Sequence, residues 1–329
     1  MTARERFLTV LNGGLPKDRL PMVEWAAWWD TTVNRWTGEG FPKNLSFEQS
    51  LQFFGLDELH CIYCAPAVPQ APGHGLGVIK NEEDYERLKK DLYRDEIIGW
   101  LLNSAKNLKP RHDNGDIIIR VWLDGFFWYP RRLFGIEPHF YAFYDYPELM
   151  EQITQDLCDF NVRALKELFK IIKPDFVGYA EDMSYNHGPM LSKDCFDRFM
   201  LKHYITVNEF CHANGVKNLI DSDGDVTVML PWFVQAGIDG VYPLERQAGV
   251  DIVKIRREYP KFIMLGGYDK MVMNKGEEAI RNEFERILPV MKSGCYIPSV
   301  DHQTPPGVSF EDYKIYIKVF KEYCEKAVT

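Results

Sequence analysis

The chain has 329 residues, 46% hydrophobic, 14% aromatic and 26% charged, and its 48 acidic against 39 basic side chains give a net charge of −9. That composition supplies ample core and excludes a disordered or fibrous protein. It also lacks the positive footprint of a nucleic-acid binder or of a protein drawn to anionic membranes, and its carboxylate surplus fits metal binding or a cationic partner. At ~150 residues per domain the length suggests two domains, but barrels hold more than that in one unit.

The opening stretch, MTARERFLTVLNGG, is charged and helix-like, with no continuous apolar core of the kind a signal peptide needs. No later segment reaches the ~18 uninterrupted apolar residues of a membrane span. The expectation is a soluble, cytoplasmic protein. Residues 20–25 (LPMVEW) and 56–63 (LDELHCIY) are strand candidates, and the Pro/Gly-rich residues 64–77 form a long loop or β excursion. The seven cysteines are odd in number and scattered, which suits reduced thiols. Cys61 and Cys64 have a CxxC spacing, but no second pair follows to complete a tetrahedral site, so two buried thiols on a strand is the preferred reading.

From about residue 115 short apolar runs alternate with amphipathic stretches, the mark of βαβ units. The runs are 116–124, 175–182, 216–223, 240–245, 262–269 and 294–302; helices are predicted over 147–172, 192–214, 226–235, 250–259, 275–292 and 309–326. Ser192 and Ser309 stand at N-caps, and Gly215, Gly237 and Gly294 at C-caps. With the two upstream candidates there are eight strands, which most simply close into a single (β/α)₈ barrel over residues 1–329 with an N-terminal elaboration.

Barrel chemistry sits at the C-terminal strand ends, and here those ends carry Glu24, Asp124, Glu181, Asp182, Asp221, Asp223, Glu245, Asp269, Asp301 and His302. Any single Asp after a strand also serves as a cap or turn former. What capping explains poorly is acids at nearly every late strand end with a histidine at the last. Carboxylates brought together repel and need a cation or a shared proton. Residues two apart in extended backbone face the same way, so Asp221 and Asp223 point at one ion, and with His302 they suit a catalytic divalent metal, Zn²⁺ or else Mn²⁺ or Fe²⁺. Glu181 and Glu245 are candidates to complete the shell or to act, with Asp221, as acid or base. Two aromatic runs, Trp25, Trp28 and Trp29, then Phe126, Phe127, Trp128 and Tyr129, predict an aromatic-walled pocket for a flat ring. Glu24, Tyr185 and His187 are placed at the same mouth. Arg131 and Arg132 are read either as anion contacts or as surface ion pairs.

The stretches YAEDMSYNHGPMLSKDCFDRFM, LIDSDGDVTVMLPWFVQAGIDGVYPLE, FIMLGGYDK and GCYIPSVDHQTPPGVSFEDYKIYI resemble the uroporphyrinogen decarboxylase superfamily, and within it the methyltransferase-like branch. The resemblance implies a distorted (β/α)₈ barrel, with a homodimer permitted. The decarboxylases grip substrate carboxylates through an N-terminal Arg-Gln-Ala-Gly-Arg segment; here MVEWAAWWDTTVNRW follows Pro21 and offers Glu24 and Asp30 with no arginine before Arg35. In the methyltransferases a His-x-Cys pair and a late Cys hold zinc. Those positions match Asp221-Ser222-Asp223 and His302, so all three ligands differ. Harder ligands leave a more electrophilic metal, suited to polarising an oxygen. The expected activity is therefore methyl transfer between a small substrate, such as a methoxylated aromatic, and a corrinoid carried on a partner protein. A carboxy-lyase using Asp221 or Glu245 as proton donor, and a non-catalytic binding barrel, are the alternatives.

Overall fold

The computed structural model describes residues 1–329. The main sheet contains β1 (Glu58–Cys64), β2 (Ile117–Asp124), β3 (Phe176–Ala180), β6 (Lys217–Asp221), β7 (Gly240–Tyr242), β8 (Ile263–Tyr268) and β9 (Tyr296–Val300), hydrogen-bonded in that order; β4 (Ser184–Tyr185) and β5 (Gly188–Pro189) form a small separate hairpin. Every pair in the seven-stranded sheet is parallel. Such strands are buried on both faces and read as apolar runs. Residues 117–121 of β2 show this, all of them buried although Arg120 is among them.

The expected eighth strand, residues 20–25, is reduced to a single parallel bridge from Val23 to Asp57. On its other side the contacts to β9 are made by side chains: Ser299 Oγ donates to the Val23 carbonyl at 2.8 Å, and Trp25 Nε1 to the Val300 carbonyl at 3.0 Å. The Pro21 nitrogen has no proton to give a ladder. The sheet is thus a curled parallel one of seven strands, with the 20–25 segment lying between its two edges.

The late helices follow the predicted pattern. Ser192 accepts from the Cys195 amide, and Ser309 forms a capping box with Asp312. The stretch predicted as one helix from 192 divides into Lys193–Phe196, a wide π turn Asp197–Leu201 and Lys202–Ala213. Gly215, Gly237 and Gly294 all have positive φ, as C-caps require.

One apolar core runs from Phe7 to Ala327. The helices Asp30–Gly38 and Phe47–Phe54 pack their aromatic faces on the last helix, Phe310–Lys326: Trp28, Trp36, Phe41, Phe54, Phe310 and Tyr313 form a continuous ring cluster. Each such ring contributes ~1.5–3 kcal/mol by burial, which docks the N-terminal elaboration over the end of the sheet. No helix is long and apolar enough to cross a membrane.

Candidate active site

A cavity of about 770 Å³ opens at the C-terminal ends of the strands, where barrel-like sheets keep their chemistry. Asp182, Asp221, Asp223 and His302 line its acidic side; Trp25, Tyr63, Trp122 and Trp128 supply ring faces; Cys61, Arg120, Asp124 and Arg132 are part of the remaining polar lining, with Glu48, Glu58, His60 and Gln303.

Asp221 ends β6, and its carbonyl accepts the amides of Glu181 at 2.9 Å and Asp182 at 3.3 Å. The alternation expected of extended backbone holds through this triplet. Asp221 and Asp223 both face the cavity, while Ser222 between them reaches away to the Met183 amide and the Ser184 hydroxyl, each at 3.1 Å. Two trios share Asp223. In Asp223–Glu245–His302 and in Asp182–Asp221–Asp223, one ligating atom per residue lies within 4.8 Å of the others. His302 Nε2 stands 3.5 Å from Asp223 Oδ2. Glu245 is steadied by the Gly224 amide, which donates to its Oε2 at 2.8 Å.

The electrostatics follow from this crowding. Burial, then repulsion from Asp223, pushes Asp182 up to about 6. Burial, with Asp182 and Asp223 adding to it, holds Asp221 well above the usual carboxylate range against the pull of Arg120. For His302 burial works against the charged form, but the contact with Asp223 outweighs it and the net shift is upward. The set favours extra positive charge, as protons or as a cation.

The predicted residues divide. The expected metal set, Asp221, Asp223 and His302, is brought to one cavity, but Asp221 and His302 fall in different trios, with Glu245 as the third member beside the imidazole. Glu181, expected as an acid–base group, lies outside the cavity lining. It is fully buried, accepts the amides of Phe126, Phe127 and Trp128 at 2.6, 2.8 and 3.0 Å together with the Tyr204 hydroxyl, and burial raises its carboxyl to about 7. Gly125 makes this possible, since a Cβ there would stand 2.0 Å from the Glu181 carboxyl carbon.

Glu24 also lies away from the cavity. It is buried beneath the last helix, accepts from Tyr313 Oη at 2.8 Å, and burial raises its carboxyl to about 8. Of the aromatic residues, Trp25 and Trp128 line the cavity. Trp28 belongs to the ring cluster of the core, where its Nε1 donates to Tyr313 Oη at 3.1 Å; Phe126 and Phe127 are fully buried, and Trp29 is half exposed at the start of a helix. Apolar rings next to a strand end gain more from core contacts than from a wet mouth. Tyr185 and His187 meet edge to face in the β4–β5 hairpin, outside the cavity lining. Asp301 is fully buried, capping the amides of Arg246 and Lys270, and Asp269 caps Met271. Arg132 pairs with Asp124, and Arg131 lies over the Trp128 ring.

Arg120, Trp122 and Cys61 line the cavity without having been singled out as site residues, beside Asp182 from the strand-end acids. The signal was present: counting back by twos from Asp124 places Trp122 and Arg120 on the same strand face. All seven cysteines are free, Cys64 buried and Cys61 half-buried.

The uroporphyrinogen decarboxylase family profile matches residues 68–323. No curated protein matches the chain. Among solved structures, a methyltransferase from Methanosarcina mazei superposes with a TM-score of 0.68 at 15% identity, over 98% of this chain and 99% of that one. A B12-independent methionine synthase from Shewanella, solved with selenomethionine, gives a TM-score of 0.45 at 11% identity over 96% of each chain. At these identities the likeness is one of fold. The match over most of its length makes the chain a member of the uroporphyrinogen decarboxylase family.

Proposed function

We propose that the protein is the substrate-specific component of a methyl-transfer system, on the methyltransferase-like branch of its family, moving a methyl group between a small methoxylated molecule and a corrinoid on a partner protein. In this reading the 20–25 segment completes a (β/α)₈ barrel and the cavity at its mouth is the substrate site. The observation that carries it is the meeting of carboxylates and one imidazole on Asp223, a donor set that fits a divalent cation such as Zn²⁺.

Asp223 and His302 would hold the ion with Glu245 as third ligand. A cation there supplies Lewis acidity toward a substrate oxygen. The protein's own groups do the rest. Trp25, Trp122 and Trp128 flank the cavity and orient a flat ring while excluding water. Asp221, whose carboxyl is pushed upward by burial and its two acidic neighbours, is placed to hold the proton. When methyl leaves the substrate oxygen for the reduced corrinoid, that oxygen keeps the electron pair and takes the Asp221 proton.

The raised Asp221 carboxyl also favours a second reading, a metal-independent carboxy-lyase in which the same proton goes to the carbon that loses carboxylate. One assay separates the two: a panel of methoxylated aromatics with a reduced corrinoid acceptor, on metal-loaded and chelator-treated protein. Methyl transfer that disappears with the metal and in Asp223→Ala and His302→Ala supports the first reading. Transfer unaffected by chelation, or absent throughout the panel, contradicts it.

A further inference from the structure

One charged group of the cavity makes no side-chain hydrogen bond or ion pair, although its charge pulls on Asp221. Arg120 lies on β2 four residues before its end, about 13 Å of strand below Asp124. Only two arginines in the chain are buried, and they contrast. Arg256 donates to the carbonyls of Tyr259, Pro260, Phe262 and Cys295. Arg120 lines the cavity, and its Nε and Nη1 are buried with no partner.

The guanidinium is flanked by aromatic rings, with Asp221 acting on it only through space. Its carbon lies 4.6 Å from the Trp122 ring centroid and 5.7 Å from that of Tyr242, a stacked setting that holds Arg well and leaves its edge for hydrogen bonding. Tyr242 Oη is also buried without a partner. Gly178 keeps its place open: a Cβ there would stand 2.5 Å from the Tyr242 hydroxyl. Orphan guanidinium donors at a cavity, with an orphan hydroxyl behind them outside its lining, are costly unless something accepts from them.

We propose that Arg120, with Tyr242 beside it, is an anion-binding subsite that takes the carboxylate of the small-molecule substrate, so that the substrate is anchored at the floor while its reacting oxygen lies at the Asp223–His302 rim. The inference rests on this cavity being the substrate site, as proposed above, and is independent of any metal. The planar guanidinium fork matches a carboxylate, and a charge-assisted pair of this kind is roughly twice as strong as a neutral hydrogen bond.

The test is titration of the full chain, chelator-treated and without corrinoid, followed by tryptophan fluorescence and calorimetry. The probes are 4-methoxybenzoate, 4-methoxybenzamide and a panel of aryl and alkyl carboxylates. The carboxylate is expected to bind at least about tenfold more tightly than the amide, with that preference lost in Arg120→Gln and partly kept in Arg120→Lys. Equal affinity for acid and amide, a preference that survives in a folded Arg120→Gln, or no binding by any carboxylate overturns the proposal. If Arg120→Gln does not fold, the wild-type ratio decides alone. Carboxylate binding without methyl transfer removes the methyl-transfer reading and leaves this subsite standing; transfer confined to neutral substrates does the reverse.

Discussion

Glu181 and Asp182 are neighbours at the end of one strand and have opposite fates. Glu181 points outward beneath the 126–128 turn, where three backbone amides and the Tyr204 hydroxyl satisfy it. Asp182, with φ at +43°, turns into the cavity beside Asp221 and Asp223. An acid at a strand end is therefore structural or available according to the donors on its side of the sheet. Asp301 repeats the first case, enclosed by the amides of Arg246 and Lys270, the Gln247 side chain and the Lys270 ammonium. Asp223 repeats the second.

Substitutions can break this contrast, and the largest effect should be on stability. Glu181→Ala strands three buried amides and a hydroxyl, and should cost ~3–5 kcal/mol in urea unfolding, whereas Asp223→Ala in metal-free protein should cost less than ~1 kcal/mol because it removes repulsion. Comparable losses for both would erase the distinction.

Glu24 sharpens it through pH. Its folded carboxyl titrates near 8 against an ordinary value of 4.5, so between those values the native state holds a proton that the unfolded chain has released. Stability must then fall as pH rises through that window, by an amount on the order of a few kcal/mol. In Glu24→Gln that fall should be absent from melting curves taken from pH 5 to 8; an unchanged profile would mean that Glu24 is already ionised in the fold.

Asp223→Ala should weaken divalent-cation binding ~100-fold or more, as loss of the ligand common to both trios requires, with Asp182→Ala costing less. The smallest effects separate the aromatic residues. Trp25→Ala should weaken binding of a flat ring about tenfold, while Trp29→Ala, half exposed and outside the cavity, should change neither ligand affinity nor stability by more than ~0.5 kcal/mol.

The βα alternation after residue 115 was legible because parallel strands are continuous apolar runs and the helices carry capping serines. The 20–25 segment was not, since its hydrophobic pattern is that of a strand but its contacts to β9 are made by side chains. The acids at strand ends were equally legible as a set. Their division was not, because it depends on partners far away in sequence: Tyr204 for Glu181, Tyr313 for Glu24 and Lys270 for Asp301. The aromatic runs misled for a related reason. Trp28 has the same local sequence character as Trp25, and only the docking of the last helix draws it into the core. Arg120 was readable from the period of two, but an arginine within an apolar run gives no sign that its guanidinium will make no direct ion pair.

The central claim, that Asp223 is the shared ligand of a divalent-cation site, is tested most directly by elemental analysis and calorimetric metal titration of wild-type, Asp223→Ala and Glu181→Gln proteins. The account predicts one divalent ion per chain in the wild type and in Glu181→Gln, and none retained by Asp223→Ala. Wild-type protein that takes up no divalent ion at saturating concentration, or an Asp223→Ala protein that binds it as well as wild type, would contradict it.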